Sequence, residues 1–177
     1  MKITGMKVYK LKPRWVFLKI ETDEKICGWG ECISGTRTET VVHCIHEMGS
    51  LIFGRNPLEI EDIWQCLYRY FFRGGPIHMS TLSGIEMALW DIKGKYYHMP
   101  IYEFLGGKAR ERIKVYSWIG GDRPQDVAME AVKRRDAGFG AVKMNACEEM
   151  HYIDSYKKVE KVLERTASIR GMTWKLE

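Results

Sequence analysis

The sequence has no apolar run near the roughly 18 residues that a membrane-spanning helix needs, so none is expected in its 177 residues. Its opening, Met1-Lys2-Ile3-Thr4-Gly5, lacks the apolar stretch of a secretory signal. Cysteine is sparse and odd in number, at 27, 32, 44, 66 and 147. With no export signal, that pattern argues for reduced thiols and a cytoplasmic setting. No Walker or dinucleotide glycine motif is present, and no Ser or Cys nucleophile with a partnered His can be argued. Charge of one sign is lacking too, since 28 Lys and Arg against 23 Asp and Glu leave a formal +5. Lys133-Arg134-Arg135 and Lys157-Lys158 fall among acids on predicted helices, where a solvated face is the ordinary explanation. No element joins base to aromatics as a nucleic-acid platform does. Neither nucleic acid nor membrane is an expected partner.

What is present reads as a globular protein, with 45% apolar and 29% charged residues. A chain of this size hides roughly 70% of its extended surface. The first 31 residues read as strands: Val16, Leu18 and Ile20 alternate with Phe17, Lys19 and Glu21 before the polar turn Thr22-Asp23-Glu24-Lys25. In the next strand, Gly28 and Gly30 flank Trp29, and glycine there marks a bend or a close backbone approach. Helices follow. Val41, Ile45, Met48 and Ile52 share a face, and Asn56-Pro57-Leu58-Glu59 predicts a helix start with Asn as N-cap and Pro in the first turn. Ile60, Ile63, Trp64, Leu67, Tyr68 and Phe71 continue at helical spacing. Arg73-Gly74-Gly75-Pro76 breaks that helix, and Leu82, Ile85, Leu89 and Ile92 form the buried stripe of the next. The aromatics of the earlier stripe read as core or subunit contact rather than a cofactor box.

From about residue 113 the pattern changes to strand 113–118, helix 124–137 stopped by Gly138, strand 141–145, helix 153–169 and the opening of a strand at 173–176. Alternation of this kind indicates βα units and a parallel sheet. An eight-fold βα barrel takes roughly 250 residues, so two units and the start of a third read as a barrel cut short. One cluster, Cys27 and Cys32 with His43, Cys44 and His46, raises a zinc site. Its spacing is loose at the cysteines and tight at the histidines, which favours a buried thiol beside surface histidines.

The segment Gly84-Ile85-Glu86-Met87-Ala88-Leu89-Trp90-Asp91-Ile92-Lys93-Gly94-Lys95 closely resembles the helix signature of the mandelate racemase branch of the enolase superfamily. Gly28-Trp29-Gly30-Glu31, Leu105-Gly106-Gly107 and Lys143-Met144-Asn145 fall where that family has related motifs. Pro13 to Lys19, Tyr116 to Pro124 and Asn145 to Glu149 resemble its galactonate dehydratase group most. The resemblance implies an α+β capping domain, here residues 1–112, followed by the first strands and helices of a truncated (β/α) TIM-type barrel in 113–177. It implies removal of water from a galactonate-like sugar acid to give a 2-keto-3-deoxy acid, with Mg²⁺ as cofactor, in a homo-oligomer. The family's metal-binding carboxylates and catalytic histidines lie on later barrel strands, and nothing here matches them. No catalytic residue and no metal ligand is therefore assigned in this chain, which is expected to be inactive alone. The alternative is a non-catalytic fragment, or a capping module that associates with itself.

The residues expected to grip substrate are Lys143, Asn145, Arg14 and Trp15. Lys143 and Asn145 fall at the C-terminal end of a predicted barrel strand, the face on which such barrels keep their sites. Some relatives carry Lys-x-Lys there with the second lysine as base, whereas this chain has Asn145 at that position. Lys143 would hold a carboxylate or polarise the site, and Asn145 would bond a sugar hydroxyl or an adjacent metal-bound group. Arg14 and Trp15 fall on the loop that, in the family, folds over the barrel mouth. Arg suits an anionic acid through paired donors, while Trp15 can exclude water or anchor a core. Arg73 has the same two readings. Asp91 with Lys93 resembles an acid–base pair, but its packed neighbours favour a structural ion pair or a helix-to-strand hydrogen bond. Glu31 reads as structural.

Overall fold

The computed structural model describes residues 1–33, 35–121, 123–147 and 150–173. It divides into two units, Met1–Ala109 and Arg110–Glu177. In the first, β1 (Ile3–Leu11), β2 (Trp15–Thr22) and β3 (Cys27–Glu31) form an antiparallel sheet in the order β1-β2-β3. The period-two pattern of β2 decides which face is covered: Val16, Leu18, Ile20 and Thr22 are buried, while Trp15, Phe17, Lys19 and Glu21 line the other face. Helices α1 (Thr38–Ile52), α2 (Ile60–Tyr70), α3 (Pro76–Tyr97) and the short α4 (Ile101–Phe104) follow. Val41, Ile45, Met48 and Ile52 of α1 meet Ile63 and Leu67 of α2 and Leu82, Ile85, Leu89 and Ile92 of α3 in one core over β2.

The helix expected to start at Asn56 begins at Ile60 instead. Asn56 Oδ1 accepts the N–H of Leu58 at 3.1 Å and its carbonyl accepts that of Glu59 at 3.2 Å, which closes a separate turn ahead of the helix. The break at Arg73-Gly74-Gly75-Pro76 stands as expected: Gly75 is the N-cap of α3 and Pro76 lies in its first turn.

Backbone meets backbone where β3 crosses α3. A Cβ on Gly30 would lie 1.8 Å from the carbonyl oxygen of Gly84, and one on Gly28 would lie 1.9 Å from that of Ala88. From the helix side, a Cβ on Gly84 would lie 2.0 Å from Cys32 Sγ. No side chain fits between them. The rest of β3 is then tied to the same helix: the Trp29 N–H donates to Asp91 Oδ2 at 2.9 Å, and Lys95 Nζ donates to Asp91 Oδ2 at 2.6 Å and to the Cys27 carbonyl at 2.8 Å. Those bonds occupy backbone groups that a free strand edge would offer to another chain. Burial beside this crossing pushes the Cys32 thiol up to about 12, and its S–H faces the Thr81 carbonyl at 3.9 Å.

In the second unit, β4 (Ser117–Trp118) and β5 (Val142–Lys143) form a parallel pair, and α5 (Pro124–Asp136) and α6 (Lys157–Thr173) pack together. Ile119, Val127, Ala131 and Ile169 are its core, with Val142 and Met144 against them. Both strands are shorter than the expected 113–118 and 141–145, because among the described residues each has one neighbour and the ladder ends with the residues that face it. Gly138, at φ +91, stops α5 as expected: its N–H reaches the Arg135 carbonyl at 2.8 Å. The last helix starts at 157 rather than 153, because Asp154 accepts the N–H groups of His151 and Ser155 in a turn before it. Those same bonds hold its carboxyl below the usual range. Thr173 ends α6 rather than opening a strand. The remainder of that expected strand, at 174–176, and the motif residues Asp122, Glu148 and Glu149 lie outside the described residues.

Two outcomes follow from the crossing of β3 on α3. Gly30→Ala must force the strand off the helix backbone, at a cost of about 3 kcal/mol. Gly75→Ala, where nothing stands within 4 Å, costs less than about 1 kcal/mol, so thermal melts of the two variants separate clearly. In a thiol titration of the native protein near pH 8, exposed Cys147 reacts promptly, and Cys32 reacts only when denaturant is added.

Candidate functional site

The β1–β2 hairpin presents one pair of the expected residues. Leu11 pairs with Trp15 across it, and the connecting turn carries Pro13, after a cis peptide bond, and Arg14. Arg14 is exposed and Trp15 is 45% exposed at the start of β2. An exposed guanidinium offers two parallel donors to a carboxylate, and the indole beside it offers a flat apolar face. The second pair lies at the end of β5. Lys143 is the last residue of that strand and sits opposite Trp118 of β4, with its Nζ 5.9 Å from the Tyr116 ring centroid. Asn145 follows two residues later, and both are exposed. An ammonium and a carboxamide together can hold an acid group and a hydroxyl. Each pair is thus built within its own unit, Arg14 with Trp15 and Lys143 with Asn145.

The residues of the helix signature do other work. Asp91 is bonded to the backbone of β3 and to Lys95 rather than to Lys93. The Lys93 ammonium lies 5.1 Å from the Trp90 ring and 5.8 Å from that of Phe104. Glu31 ends β3 opposite Phe17.

His78 is a residue that sequence reasoning missed. It is 5% exposed, its Nε2 lies 3.0 Å from the Leu67 carbonyl, and its ring packs beside Phe71 and Tyr68. A carbonyl only accepts, so the proton sits on Nε2, which leaves Nδ1 unpartnered among the described residues. That nitrogen faces Gly74, where a Cβ would lie 2.1 Å away. The imidazole therefore fixes the corner that carries Arg73, beside a cleft of about 390 Å³ that Thr40, His43, Glu47 and Arg73 also line. The double glycine just ahead of α3 was the available signal.

Metal chemistry finds no seat in these residues. Cys32 is buried against Gly84, His43 and His46 are exposed on α1, and among the described residues no group of three or more His, Cys, Asp or Glu could hold a metal ion. The donor set fits neither zinc nor the Mg²⁺ that the family resemblance implies. Among the described residues, no helix is long and apolar enough to cross a membrane.

Comparison with known proteins gives this geometry its context. Residues 6–106 match the model of the mandelate racemase / muconate lactonizing enzyme N-terminal domain. The chain is 52% identical over 171 residues to a D-galactonate dehydratase of Pectobacterium atrosepticum, covering 96% of this chain and 45% of that protein. Among solved structures, a member of the enolase superfamily from Salmonella Typhimurium superposes with a TM-score of 0.88 at 29% identity, over 98% of this chain and 52% of that one. An enolase from Agrobacterium radiobacter, solved with Na and L-malate bound, gives 0.82 at 25% identity over 98% and 46%. The chain spans about half the length of the relatives it matches. Its first unit is the family's α+β capping domain and its second opens a βα barrel. The chain belongs to the mandelate racemase / muconate lactonizing enzyme family, within the enolase superfamily, and resembles the N-terminal part of its D-galactonate dehydratases.

Proposed function

We propose that this chain supplies the cap and the first barrel strands of a cytoplasmic, homo-oligomeric sugar-acid dehydratase, and that it binds substrate without performing the chemistry. The observation that carries the reading is the 52% identity to a D-galactonate dehydratase, which runs through both units. The reaction removes a proton beside the carboxylate and the hydroxyl from the next carbon, so that water leaves and a 2-keto-3-deoxy acid forms. A carbon next to an ionised carboxylate is a poor acid, and Mg²⁺ bound elsewhere in the assembled enzyme would spread the second negative charge. None of that step is assigned to these residues.

Their part is to hold and enclose. In the first unit Arg14 pairs with an acid group and Trp15 shields it from water; in the second, Lys143 takes an anionic or polar group. Asn145 bonds a hydroxyl. A lysine at 145 could act as a base, and asparagine cannot, because its amide has no usable proton affinity near neutral pH. That difference supports a reaction in which proton transfer is done by groups other than this strand end.

The test is a covalent chimaera in which this chain replaces the matching 171 residues of the Pectobacterium enzyme. It is expected to dehydrate D-galactonate in the presence of Mg²⁺. Arg14→Ala and Lys143→Ala in that chimaera should each lower kcat/KM about ten-fold or more, the loss typical of a hydrogen bond to a charged group. A folded chimaera that turns over no sugar acid, or variants indistinguishable from it, would remove the reading.

A further inference from the structure

Between α2 and α3 the chain turns through Phe71-Phe72-Arg73-Gly74-Gly75. The Gly74 N–H bonds the Phe71 carbonyl at 3.1 Å, and Gly75, the N-cap of α3, brings no side chain to cap that helix. His78 secures the turn from the first turn of α3. Leu67 lies in the last turn of α2, where a helix leaves its final carbonyls without partners of their own. The His78 Nε2–H donates to that Leu67 carbonyl at 3.0 Å. Another edge of the ring lies against Gly74, where a Cβ would sit 2.1 Å from Nδ1, and the Phe71 ring packs beside it with centroids 4.7 Å apart. The ring is 5% exposed, and every one of these contacts is made within residues 67–78, so the arrangement belongs to the corner itself.

The corner carries one charged group. Arg73 directly precedes Gly74, its guanidinium stands 5.4 Å from the Phe72 ring centroid, and Thr40 and Glu47 of α1 line the cleft beside it. That set suits a polyhydroxy acid: Arg donates to the acid's oxygens, while a hydroxyl and a carboxylate accept from its hydroxyl groups. The start of α3 is also tied to the end of the sheet that bears the hairpin tip. Ser80 Oγ donates to the Ile33 carbonyl, and the Cys32 N–H donates to the carbonyl of Val16, the neighbour of Trp15, at 2.8 Å. Arg73 and Arg14 thus stand at one end of the capping unit. We propose that His78 is a positioning residue, whose bond to the Leu67 carbonyl sets Arg73 to join Arg14 in holding the sugar acid.

The inference rests on the dehydratase reading for the identity of the ligand, and the experiment keeps the two apart. In the chimaera with the Pectobacterium enzyme, Arg73→Ala and His78→Leu should each raise the KM for D-galactonate about ten-fold with kcat little changed, the mark of lost ground-state binding. His78→Met does the same work should the leucine variant not fold. His78→Gln, whose amide can still donate to the Leu67 carbonyl, should keep KM within about three-fold. The deciding measurement is the double variant. Once residue 73 is alanine, His78→Leu should add nothing, because a residue that acts through Arg73 has nothing left to position. Calorimetric titration with D-galactonate reads the same cycle without turnover. A chimaera that binds D-galactonate with this coupling yet turns none over keeps the inference and removes the dehydratase reading. An active chimaera in which Arg14→Ala raises KM and Arg73→Ala does not overturns the inference and keeps the reading. Equal losses from His78→Leu with and without Arg73, in variants that melt like their parents, overturn it as well, because the histidine then serves the fold alone. A folded chimaera that neither binds nor turns over D-galactonate removes both.

Discussion

The capping unit depends on one steric condition, that the backbones of β3 and α3 touch. Gly28 and Gly30 on the strand face Ala88 and Gly84 on the helix at distances that leave no room for a Cβ. Everything nearby uses this approach. Only a helix so close can let Asp91 take the Trp29 N–H and Lys95 reach the Cys27 carbonyl, and only then do Leu82, Ile85, Leu89 and Ile92 enter the core that β2 supplies from Val16, Leu18 and Ile20. The signature that identifies the family is thus largely a packing instruction. Its charged residues face a strand edge or aromatic rings.

That division of labour explains where binding groups can sit. Residues whose positions are consumed by the strand–helix crossing are not available to a ligand. The ends of elements are. Arg14 and Trp15 occupy the tip of the hairpin made by β1 and β2, and Lys143 and Asn145 the end of β5, positions at which a side chain changes without disturbing a core. His78 belongs to neither class. It is buried, yet it fixes the glycine corner carrying Arg73 through its bond to the Leu67 carbonyl, a role set by three-dimensional proximity across 11 residues of chain.

Much of the fold was legible because the patterns had single solutions. The alternation in β2 specifies one buried face, the paired glycines ask for a close neighbour, and the stripes of α1 to α3 have helical spacing. Some features escaped for identifiable reasons. Asn56 carries the right side chain for a cap but spends it on its own turn, and the helix starts four residues on. The strands at 117 and 142 are short because a ladder needs neighbours, which no local pattern reveals. Asp91 makes the expected helix-to-strand hydrogen bond, but its ion-pair partner is Lys95 and not Lys93, since residues four apart on a helix share a face and residues two apart do not. The exposed placement of residues 14, 15, 143 and 145 at the ends of elements agrees with where the sequence put them. The burial of His78 against Gly74 was not legible, because nothing in a sequence states which ring will fill the space that a glycine leaves.

The proposed role of this chain is to hold a sugar acid through the exposed groups at the hairpin tip and at the end of β5, with the transforming chemistry done elsewhere in the assembled enzyme. No set of side chains among its described residues can seat a metal ion, and the strand end at β5 offers asparagine at the position where a base could stand. The most direct test is a turnover assay on the purified 177-residue chain with D-galactonate and Mg²⁺, following formation of the 2-keto-3-deoxy acid. The account predicts no turnover above the metal-containing blank. Metal-dependent production of the keto acid by the chain alone would contradict it.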